Sequence, residues 1–355
     1  MKSRKLVVRL ALSLLVSGVL VFLSLRNTDV GAVVHELLSA DPRPILGYFA
    51  ILLVVHLVKT VRWWLLLLPL GRTSFRRVNA ASAVGLMLLG MMPLKLGELA
   101  RPLIVSQPSA DGEEPLRRSS ALASVVVERL VDSLAMGILG IISLRLLAAE
   151  GHAAELARHA ATLMTLGFGG LCVALVLSFA ARERAVSLIR RILQPVSAHL
   201  AERISRLVDG FILGVRLGSV GNAIAFLALT VAYWALHVWG FWMVAGAFGL
   251  NITPLMACTV LACQVVGIMI PAGPGMVGTM QFFIQLGVSI FVAGALSEPE
   301  VASRVAAYAN SIWLLQFSQL LITGLPFLLA GQVKLTGLFK FQPAEPQPVA
   351  RPESL

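Results

Sequence analysis

Long apolar runs, separated by short polar connections, fill almost the whole chain. Six of them reach about 20 residues or more, which is the length that an α-helix needs to cross a hydrocarbon core of about 30 Å. No stretch of ordinary soluble composition is long enough to form a second domain. The pattern therefore predicts an all-α, polytopic membrane bundle. Full spans are predicted at residues 6–25, 44–68, 118–148, 158–181, 219–248 and 303–330.

Two further apolar runs, residues 78–105 and 253–296, are each broken in the middle. The interruptions are Pro93 and Gly97 in the first run, and Pro271, Pro274, Gly275 and Gly278 in the second. Non-helical backbone at membrane depth is tolerated only where it is buried in protein or lines a cavity. We therefore predict that each run forms a re-entrant helix pair, which enters and leaves the membrane on the same side.

The order span, span, broken pair, span occurs twice, in residues 1–150 and again in residues 158–330. The second unit begins on the opposite side of the membrane from the first. This order is typical of an inverted-topology repeat, in which the substrate site lies near the interface between the two halves. We treat residues 1–335 as one transmembrane domain built from these halves.

Three polar or basic segments complete the prediction. Residues 182–217 alternate basic and apolar positions, as expected of an amphipathic helix on the cytoplasmic membrane surface. Residues 336–355 are proline-rich and polar, which predicts a disordered cytoplasmic tail. A basic N-terminus followed by an apolar run predicts an uncleaved signal anchor.

Composition and charge narrow the functional classes. Hydrophobic residues make up 57% of the chain and charged residues 13%, and the net charge is +11. The positive charges flank the apolar spans, and with both broken runs re-entrant most of them fall on one side, which we assign to the cytoplasm together with both termini. This distribution favours contact with anionic lipids over binding of nucleic acid.

Motifs of the common enzyme classes are missing from the sequence. There is no nucleophile elbow, phosphate-binding loop, dinucleotide fingerprint or paired CxxC. The three cysteines lie in apolar runs without metal-ligand spacing, which predicts buried, inert thiols. The sequence therefore predicts no enzymatic activity, no cofactor and no metal.

Eight charged residues lie inside the apolar runs. They are Lys59, Arg62, Lys95, Glu98, Arg101, Glu128, Arg129 and Asp132. A charge at mid-bilayer costs about 3 kcal/mol even on a lenient scale, so such residues persist only if they pair or line a wet cavity. Five are basic and three are acidic. The excess of two positive charges favours a site for an anion, such as a lipid phosphate, over a self-paired brace.

Helical spacing arranges these charges in short groups. Lys95, Glu98 and Arg101 follow Pro93 at i, i+3 and i+6, and the N-terminus of that half-helix would also attract an anion. Glu128 and Asp132 share a face at i and i+4, and Arg129 reaches Asp132 at i+3.

Structural alternatives exist for each group. Lys59, Arg62, Lys95 and Arg101 can extend to the headgroups instead, with Trp63 and Trp64 as an interfacial anchor. The acidic pair can form a brace between helices. In the second broken run, Gln281 and Gln285 lie at i and i+4, where they can bond freed backbone groups or a polar ligand.

Three motifs together resemble the lysylphosphatidylglycerol synthase transmembrane family, which is also called flippase-like. The first joins Pro93, Lys95, Gly97, Glu98 and Arg101, the second joins Glu128, Arg129 and Asp132, and the third joins Pro274, Gly278 and Gln281. Arg62, near the end of the second span, also fits this family.

The resemblance implies a multi-pass protein of the bacterial inner membrane that moves or handles lipids. Its relatives are linked to aminoacylated phosphatidylglycerol, hopanoids or polyprenyl-phosphate sugars. This sequence lacks the soluble aminoacyl-transferase domain, so lysylphosphatidylglycerol synthesis is not expected of it. Many members carry Glu where Gln281 stands, which puts a cation- or proton-binding role at that position in doubt.

The resulting hypothesis is a translocase for a lipid with a phosphate-bearing head group. Arg62, Lys95, Gly97, Glu98, Arg101, Glu128, Arg129 and Asp132 would form its binding site. One alternative is a non-transporting partner of a lipid-modifying enzyme, which a closed and fully paired charge cluster would favour. Another is an intramembrane enzyme that uses Glu128 and Asp132 as an acid/base pair.

Overall fold

The computed structural model describes residues 2–92, 97–108, 112–147, 151–180, 191, 194, 218–270, 272–333 and 335. All regular structure in these residues is helical, as predicted. The α-helices are α1 (Lys2–Leu25), α2 (Val30–Ser39), α3 (Pro42–Leu67), α4 (Phe75–Met91), α5 (Ala100–Val105), α6 (Arg118–Leu146), α7 (His152–Ala180), α8 (Val220–Ala247), α9 (Pro254–Met269), α10 (Thr279–Ser289) and α11 (Pro299–Leu329). Short 3-10 helices occupy Leu68–Leu70 and Pro274–Met276.

Four of these helices are long and apolar enough to cross a membrane. They cover Pro42–Leu70, Ala154–Val173, Val220–Ala247 and Pro299–Leu329. A fifth span is formed if α1 and α2, which meet at a bend of 77°, are counted together. Helix α6 is equally long, but the three charged residues Glu128, Arg129 and Asp132 interrupt the apolar sequence of its middle. The six full spans expected from the sequence therefore remain a prediction.

Helix α2 lies where the sequence pattern predicts only a connection. Asp29 caps its N-terminus by accepting a hydrogen bond from the Gly31 N–H at 2.8 Å. The helix packs against α11, and Val33 is buried there. A ten-residue helix is too short to register as a span, which is why its apolar face escaped the sequence analysis.

The first broken run folds back on itself, and we call residues 75–105 the first hairpin. Arg101 on the returning segment lies beside Gly85 of α4. Gly97 lies against the backbone of Leu88 and Leu89, where any Cβ atom would collide with helix α4. At the open end, Arg77 donates hydrogen bonds to the carbonyl oxygens of Val105 and Gln107. Pro93 and Lys95, which were predicted to belong to this break, lie outside the described residues.

The second broken run also doubles back, and we call residues 254–289 the second hairpin. Gly267 of α9 lies against Phe283 of α10, and Gly287 lies against Val260. The connection contains the 3-10 turn Pro274–Met276, and Gly278 has a φ of 82°, a value that L residues rarely adopt. Pro271 lies outside the described part of this turn.

Helices of the two halves pack closely against each other. Helix α3 lies along α8, α4 lies against α11, and α6 lies against both α7 and α9. One buried cluster surrounds Tyr48, Phe241 and Tyr308, and a second surrounds Trp63 and Val84. The predicted amphipathic segment 182–217, except for residues 191 and 194, and the predicted tail 336–355 lie outside the described residues.

Candidate functional site

Five charged side chains from three helices meet in the interior, and we call them the ionic cluster. Lys59 and Arg62 come from α3, Arg101 from α5, and Glu128 and Asp132 from α6. The Nζ atom of Lys59 lies 3.1 Å from Oε1 of Glu128 and 3.9 Å from Oδ2 of Asp132. Arg62 Nη2 donates to Asp132 Oδ1 at 2.6 Å, and Arg101 Nη1 donates to Glu128 Oε2 at 2.9 Å. Glu128 thus bridges two cations.

Local sequence explains how these side chains come together. Lys59 and Arg62 are three residues apart on α3, and the two carboxylates are four residues apart on α6, so each pair shares one helix face. Arg101 reaches the cluster because Gly85 leaves space for it, since a Cβ atom at Gly85 would collide with the side chain of Arg101. The fold of the first hairpin therefore sets the position of Arg101.

Aromatic rings cover the three cations. The guanidinium of Arg101 lies 4.3 Å from the centre of the Trp63 ring. Lys59 and Arg62 lie 4.9 Å and 5.1 Å from the centre of the Tyr233 ring, and Phe226 lies 5.1 Å from Arg62. Such contacts stabilise a cation by about 2 kcal/mol where water is excluded. The aromatic rings on α8 thus contribute to a site whose charges all come from the first half.

The ionic cluster is buried but incompletely paired. Arg62 and Glu128 are 0% exposed and Arg101 is 1% exposed. Nε and Nη1 of Arg62, and Nε and Nη2 of Arg101, have no hydrogen-bond partner within the described structure. Three cations face two carboxylates, which leaves one excess positive charge. Buried donors on a charged group are costly to leave unmatched, so this geometry is suited to an added anion.

A second ion pair lies at the rim of this region. Arg129 Nη2 lies 3.5 Å from Glu98 Oε1, and about a third of each side chain is exposed. The expected contact from Arg129 to Asp132 is wrong, because Arg129 turns toward the first hairpin instead. Gly97 lies nearby in a packing position against α4, and Lys95, which was predicted to join this group, lies outside the described residues.

The alternative based on headgroup contact is also wrong for α3. Lys59 and Arg62 are buried and paired, so they do not extend to a membrane surface. Trp63 is 0% exposed and donates from Nε1 to the Ser124 hydroxyl at 3.0 Å, so it is not an interfacial anchor. Trp64, its neighbour, is only half-buried.

The second hairpin holds amides in place of charges. Gln281 Oε1 accepts from the Gly278 N–H at 2.8 Å, so this side chain bonds a backbone group freed by the break, as predicted. Gln285 donates to the Ser24 hydroxyl of α1 at 2.7 Å. Trp313 donates to the carbonyl of Gly275 at 2.7 Å, next to Pro274 in the 3-10 turn. These contacts close the turn and tie it to α1 and α11.

A chain of hydrogen bonds, buried at one end and partly buried at the other, joins the two halves. His237 Nδ1 lies 3.3 Å from the Tyr48 hydroxyl, which accepts from Gln316 at 3.0 Å, and Gln316 in turn accepts from Gln264 at 3.0 Å. His237 also stacks edge-on to Tyr233 at 4.9 Å. The chain therefore runs from the ring beside the ionic cluster to α9 of the second hairpin. Sequence analysis missed it because its members are far apart along the chain.

A metal site needs several ligating side chains close together. In the described residues, no three His, Cys, Asp or Glu side chains are close enough to hold a metal ion.

Comparison with known proteins gives one match. Residues 10–318 match the sequence profile of the family described as Lysylphosphatidylglycerol synthase TM region. No curated protein and no solved structure matches the chain.

Proposed function

Since the chain belongs to the lysylphosphatidylglycerol synthase transmembrane-region family, we propose that it moves a phosphate-bearing lipid between the two leaflets of its membrane. The family and the apolar helices together indicate a multi-pass membrane protein related to lipid modification. The step from handling lipids to translocating them rests on the ionic cluster.

The observation that carries the proposal is the unmatched donor set of Arg62 and Arg101. Each guanidinium uses one nitrogen for a carboxylate and leaves two buried nitrogens without a partner in the described structure. A phosphate offers several acceptor oxygens and a negative charge, and Arg is the side chain best suited to bind it in a forked geometry. Bound phosphate would match these donors and offset the excess positive charge.

The carboxylates have a role in the same proposal. Glu128 and Asp132 hold the cations in place when no lipid is bound, and they keep the buried charge close to neutral. A lipid phosphate then competes for the same guanidinium groups. Arg129 and Glu98, which are partly exposed at the rim, are the proposed entry to the site, and Gly97 is the neighbour of Glu98 in the chain.

Matching helix contacts in the two halves support the inverted repeat that an alternating-access mechanism would need. If α1–α6 and α7–α11 are equivalent units, α3 corresponds to α8, the first hairpin to the second, and α6 to α11. The contact between α4 and α11 is then matched by the contact between α9 and α6. The contact between α5 and α6 is matched in the same way by the contact between α10 and α11. In our proposal the two halves rock around the ionic cluster at their interface.

The proposal places the protein in the bacterial inner membrane with both termini in the cytoplasm. It assigns transport without enzymatic catalysis, with no cofactor, and with membrane lipids as the binding partners.

A second candidate function is a non-transporting partner of a lipid-modifying enzyme. It is favoured by the closed state of the ionic cluster, whose three cations are at most 6% exposed. A brace between α3, α5 and α6 would need this burial, but it would gain nothing from the unmatched guanidinium nitrogens.

Arg→Lys substitutions separate the two functions. Arg62→Lys and Arg101→Lys keep the positive charge and can keep the ion pairs with Asp132 and Glu128, but they remove the unmatched donors. A brace tolerates this change, whereas a phosphate site loses affinity. We expect each variant, reconstituted in liposomes, to flip a headgroup-labelled phosphatidylglycerol about tenfold more slowly than the unmodified protein, as for the loss of a hydrogen bond to a charged group.

Arg145→Lys is the matched control, because Arg145 is exposed near the end of α6, away from the ionic cluster. It should flip lipid at the unmodified rate. Equal rates for all three variants and the unmodified protein would contradict transport through this site and favour the partner function.

A further inference from the structure

An apolar groove runs along the outside of α8, between α6 and α9. Its volume is about 740 Å³, and nearly all of its surface is apolar. Three tryptophans line it, Trp234, Trp239 and Trp242, so we call it the tryptophan groove. Its lining also includes Ala135, Leu139 and Cys258. The volume lies within the range of about 300–1,000 Å³ that is typical of sites for small ligands.

The tryptophan groove begins next to the ionic cluster. On α6, Ala135 is three residues beyond Asp132, so the groove starts within about one helical turn of a cluster carboxylate. On α8, Trp234 directly follows Tyr233, the ring that covers Lys59 and Arg62, and the two rings are 4.8 Å apart. A charged site and an apolar groove therefore lie next to each other on the same two helices.

The length and direction of the tryptophan groove also fit a hydrocarbon chain. The groove follows α8 from Thr230 to Trp242, which at 1.5 Å per residue is about 18 Å. One end adjoins the ionic cluster and the other is remote from it. This is the shape required by a lipid whose head group is held at one point and whose chain extends away from it.

An indole N–H near the charged end has no partner in the part of the chain that the structure describes. Trp234 is 7% exposed, and its Nε1 atom is buried without a hydrogen-bond acceptor among the described residues. Buried indole N–H groups normally find an acceptor. A lipid brings a suitable one, because an ester or ether oxygen joins its head group to each chain.

We propose that the tryptophan groove holds one hydrocarbon chain of the lipid whose phosphate binds at the ionic cluster. This inference rests on the proposed function for the identity of the head group. A lipid chain leaving the bilayer gains no hydrophobic free energy, because the bilayer is equally apolar. The groove therefore acts through van der Waals fit, and it fixes the position of the chain and the shape of chain that is accepted.

The experiment uses the full-length protein in nanodiscs and two photoreactive lipids. One is phosphatidylglycerol with a diazirine on one acyl chain, and the other is diacylglycerol with the same chain. We expect phosphatidylglycerol to label residues 230–242 and 135–139 about tenfold more than diacylglycerol at equal mole fraction, and Arg62→Lys to reduce that preference. Equal labelling by the two lipids would mean ordinary contact with bulk lipid and would overturn the inference.

A matched pair of substitutions tests the groove itself. Ala235 and Ala228 are both exposed on α8, seven residues apart, but only Ala235 lines the groove. Ala235→Phe should fill the groove and reduce the labelling about tenfold, while Ala228→Phe should leave it unchanged. Equal labelling of both variants would also overturn the inference.

The labelling experiment tests the groove independently of the flipping experiment that tests the proposed function, because labelling requires no transport. Preferential labelling without lipid flipping would support the groove and contradict translocation. Flipping without preferential labelling would support translocation and contradict the groove.

Discussion

The two hairpins have the same backbone design and opposite chemistry. Each is a helix that ends at a break, turns and returns along itself, with a glycine at the points of closest approach. The first hairpin sends Arg101 into the ionic cluster. The second sends Gln264, Gln281 and Gln285 into hydrogen bonds with neutral partners.

The hairpins differ in how completely their amide and charged side chains are paired. Each of the three amides of the second hairpin has a partner, although the buried Thr279 hydroxyl has none in the described residues. Arg101 of the first hairpin has one partner, and within the described structure two of its nitrogens are unmatched. Structural braces in proteins normally satisfy their buried polar groups, because an unmatched group costs about 1–3 kcal/mol. The second hairpin therefore has the character of a brace, and the first has that of a binding site.

The hydrogen-bond chain from His237 to Gln264 connects these two kinds of site. It starts at His237, beside the Tyr233 ring of the ionic cluster, and ends at Gln264 on the second hairpin. Its hydrogen bonds link side chains of α3, α8, α9 and α11, so it ties helices of both halves together.

Among the substitutions that test this contrast between the hairpins, Glu128→Gln, which removes the carboxylate partner of Arg101, is expected to lower the stability most. This change leaves Lys59 and Arg101 without their shared carboxylate in a fully buried site. Removing one partner of a buried pair costs about 3–5 kcal/mol. We expect a loss of that size in equilibrium unfolding in mixed micelles. Added phosphatidylglycerol should restore part of it, because an anionic ligand of the folded state stabilises by mass action.

Glu98→Gln provides the control for this prediction. Glu98 also pairs with an arginine, Arg129, but the pair is partly exposed and its atoms are 3.5 Å apart. Such pairs contribute about 0–1 kcal/mol. Equal losses for Glu98→Gln and Glu128→Gln would mean that the ionic cluster is hydrated, and the contrast between the hairpins would then disappear.

A smaller effect is expected from Gln281→Leu in the second hairpin. The substitution leaves the buried Gly278 N–H without its acceptor, which costs about 1–3 kcal/mol. Because the second hairpin is assigned as a brace, unfolding stability should fall while phosphatidylglycerol labelling of the tryptophan groove keeps its preference.

Gln319→Leu is the matched control for that change, since Gln319 bonds only within its own helix, to Thr323 at 3.2 Å, in the part of the chain described. It should cost less than Gln281→Leu. A loss of lipid preference in Gln281→Leu at retained folding would place the second hairpin in the binding site.

The features that follow from sequence are those that depend on local spacing or on the cost of burial. Apolar runs predict the helices, and proline and glycine predict where each hairpin turns. The cost of a charge in an apolar run predicts that Glu128 and Asp132 find basic partners. Which cation each carboxylate meets is set by how the helices pack, so Lys59 and the rings of Phe226 and Tyr233 were not assigned to the site.

Two errors have a clear physical origin. Trp63 and Trp64 were assigned together to the membrane interface, but adjacent residues on a helix point about 100° apart. Trp63 is therefore fully buried in the core, whereas Trp64 is half-buried at its edge. Arg129 was assigned to Asp132 by spacing on one helix, whereas the returning segment of the first hairpin brings Glu98 closer. Helical spacing limits the possible partners but does not rank them.

The smallest expected effect concerns the open end of the first hairpin and its pH dependence. Glu113 accepts hydrogen bonds there from the Ser74 N–H at 3.2 Å and from Arg77 Nη1 at 3.4 Å. Partial burial alone raises the pKa of Glu113, but the bonds from Ser74 and the charge of Arg77 outweigh it and hold the pKa below its usual value. A carboxyl group whose pKa is lowered by folding stabilises the folded state at pH values above its pKa in the unfolded chain. This stabilisation is lost as the pH falls through the pKa of the folded state.

We therefore expect α5 to exchange its backbone hydrogens faster, after correction for intrinsic rates, as the pH falls below about 4. The change should be under about 1 kcal/mol, because Glu113 is partly exposed and screened. Glu113→Gln should show the loosened state at all pH values. Helix α10 should show no such step, because the second hairpin contains no Asp, Glu, His, Lys or Arg. An equal step in both hairpins would assign the pH response to the whole bundle, and only a step confined to α5 keeps the two hairpins electrostatically distinct.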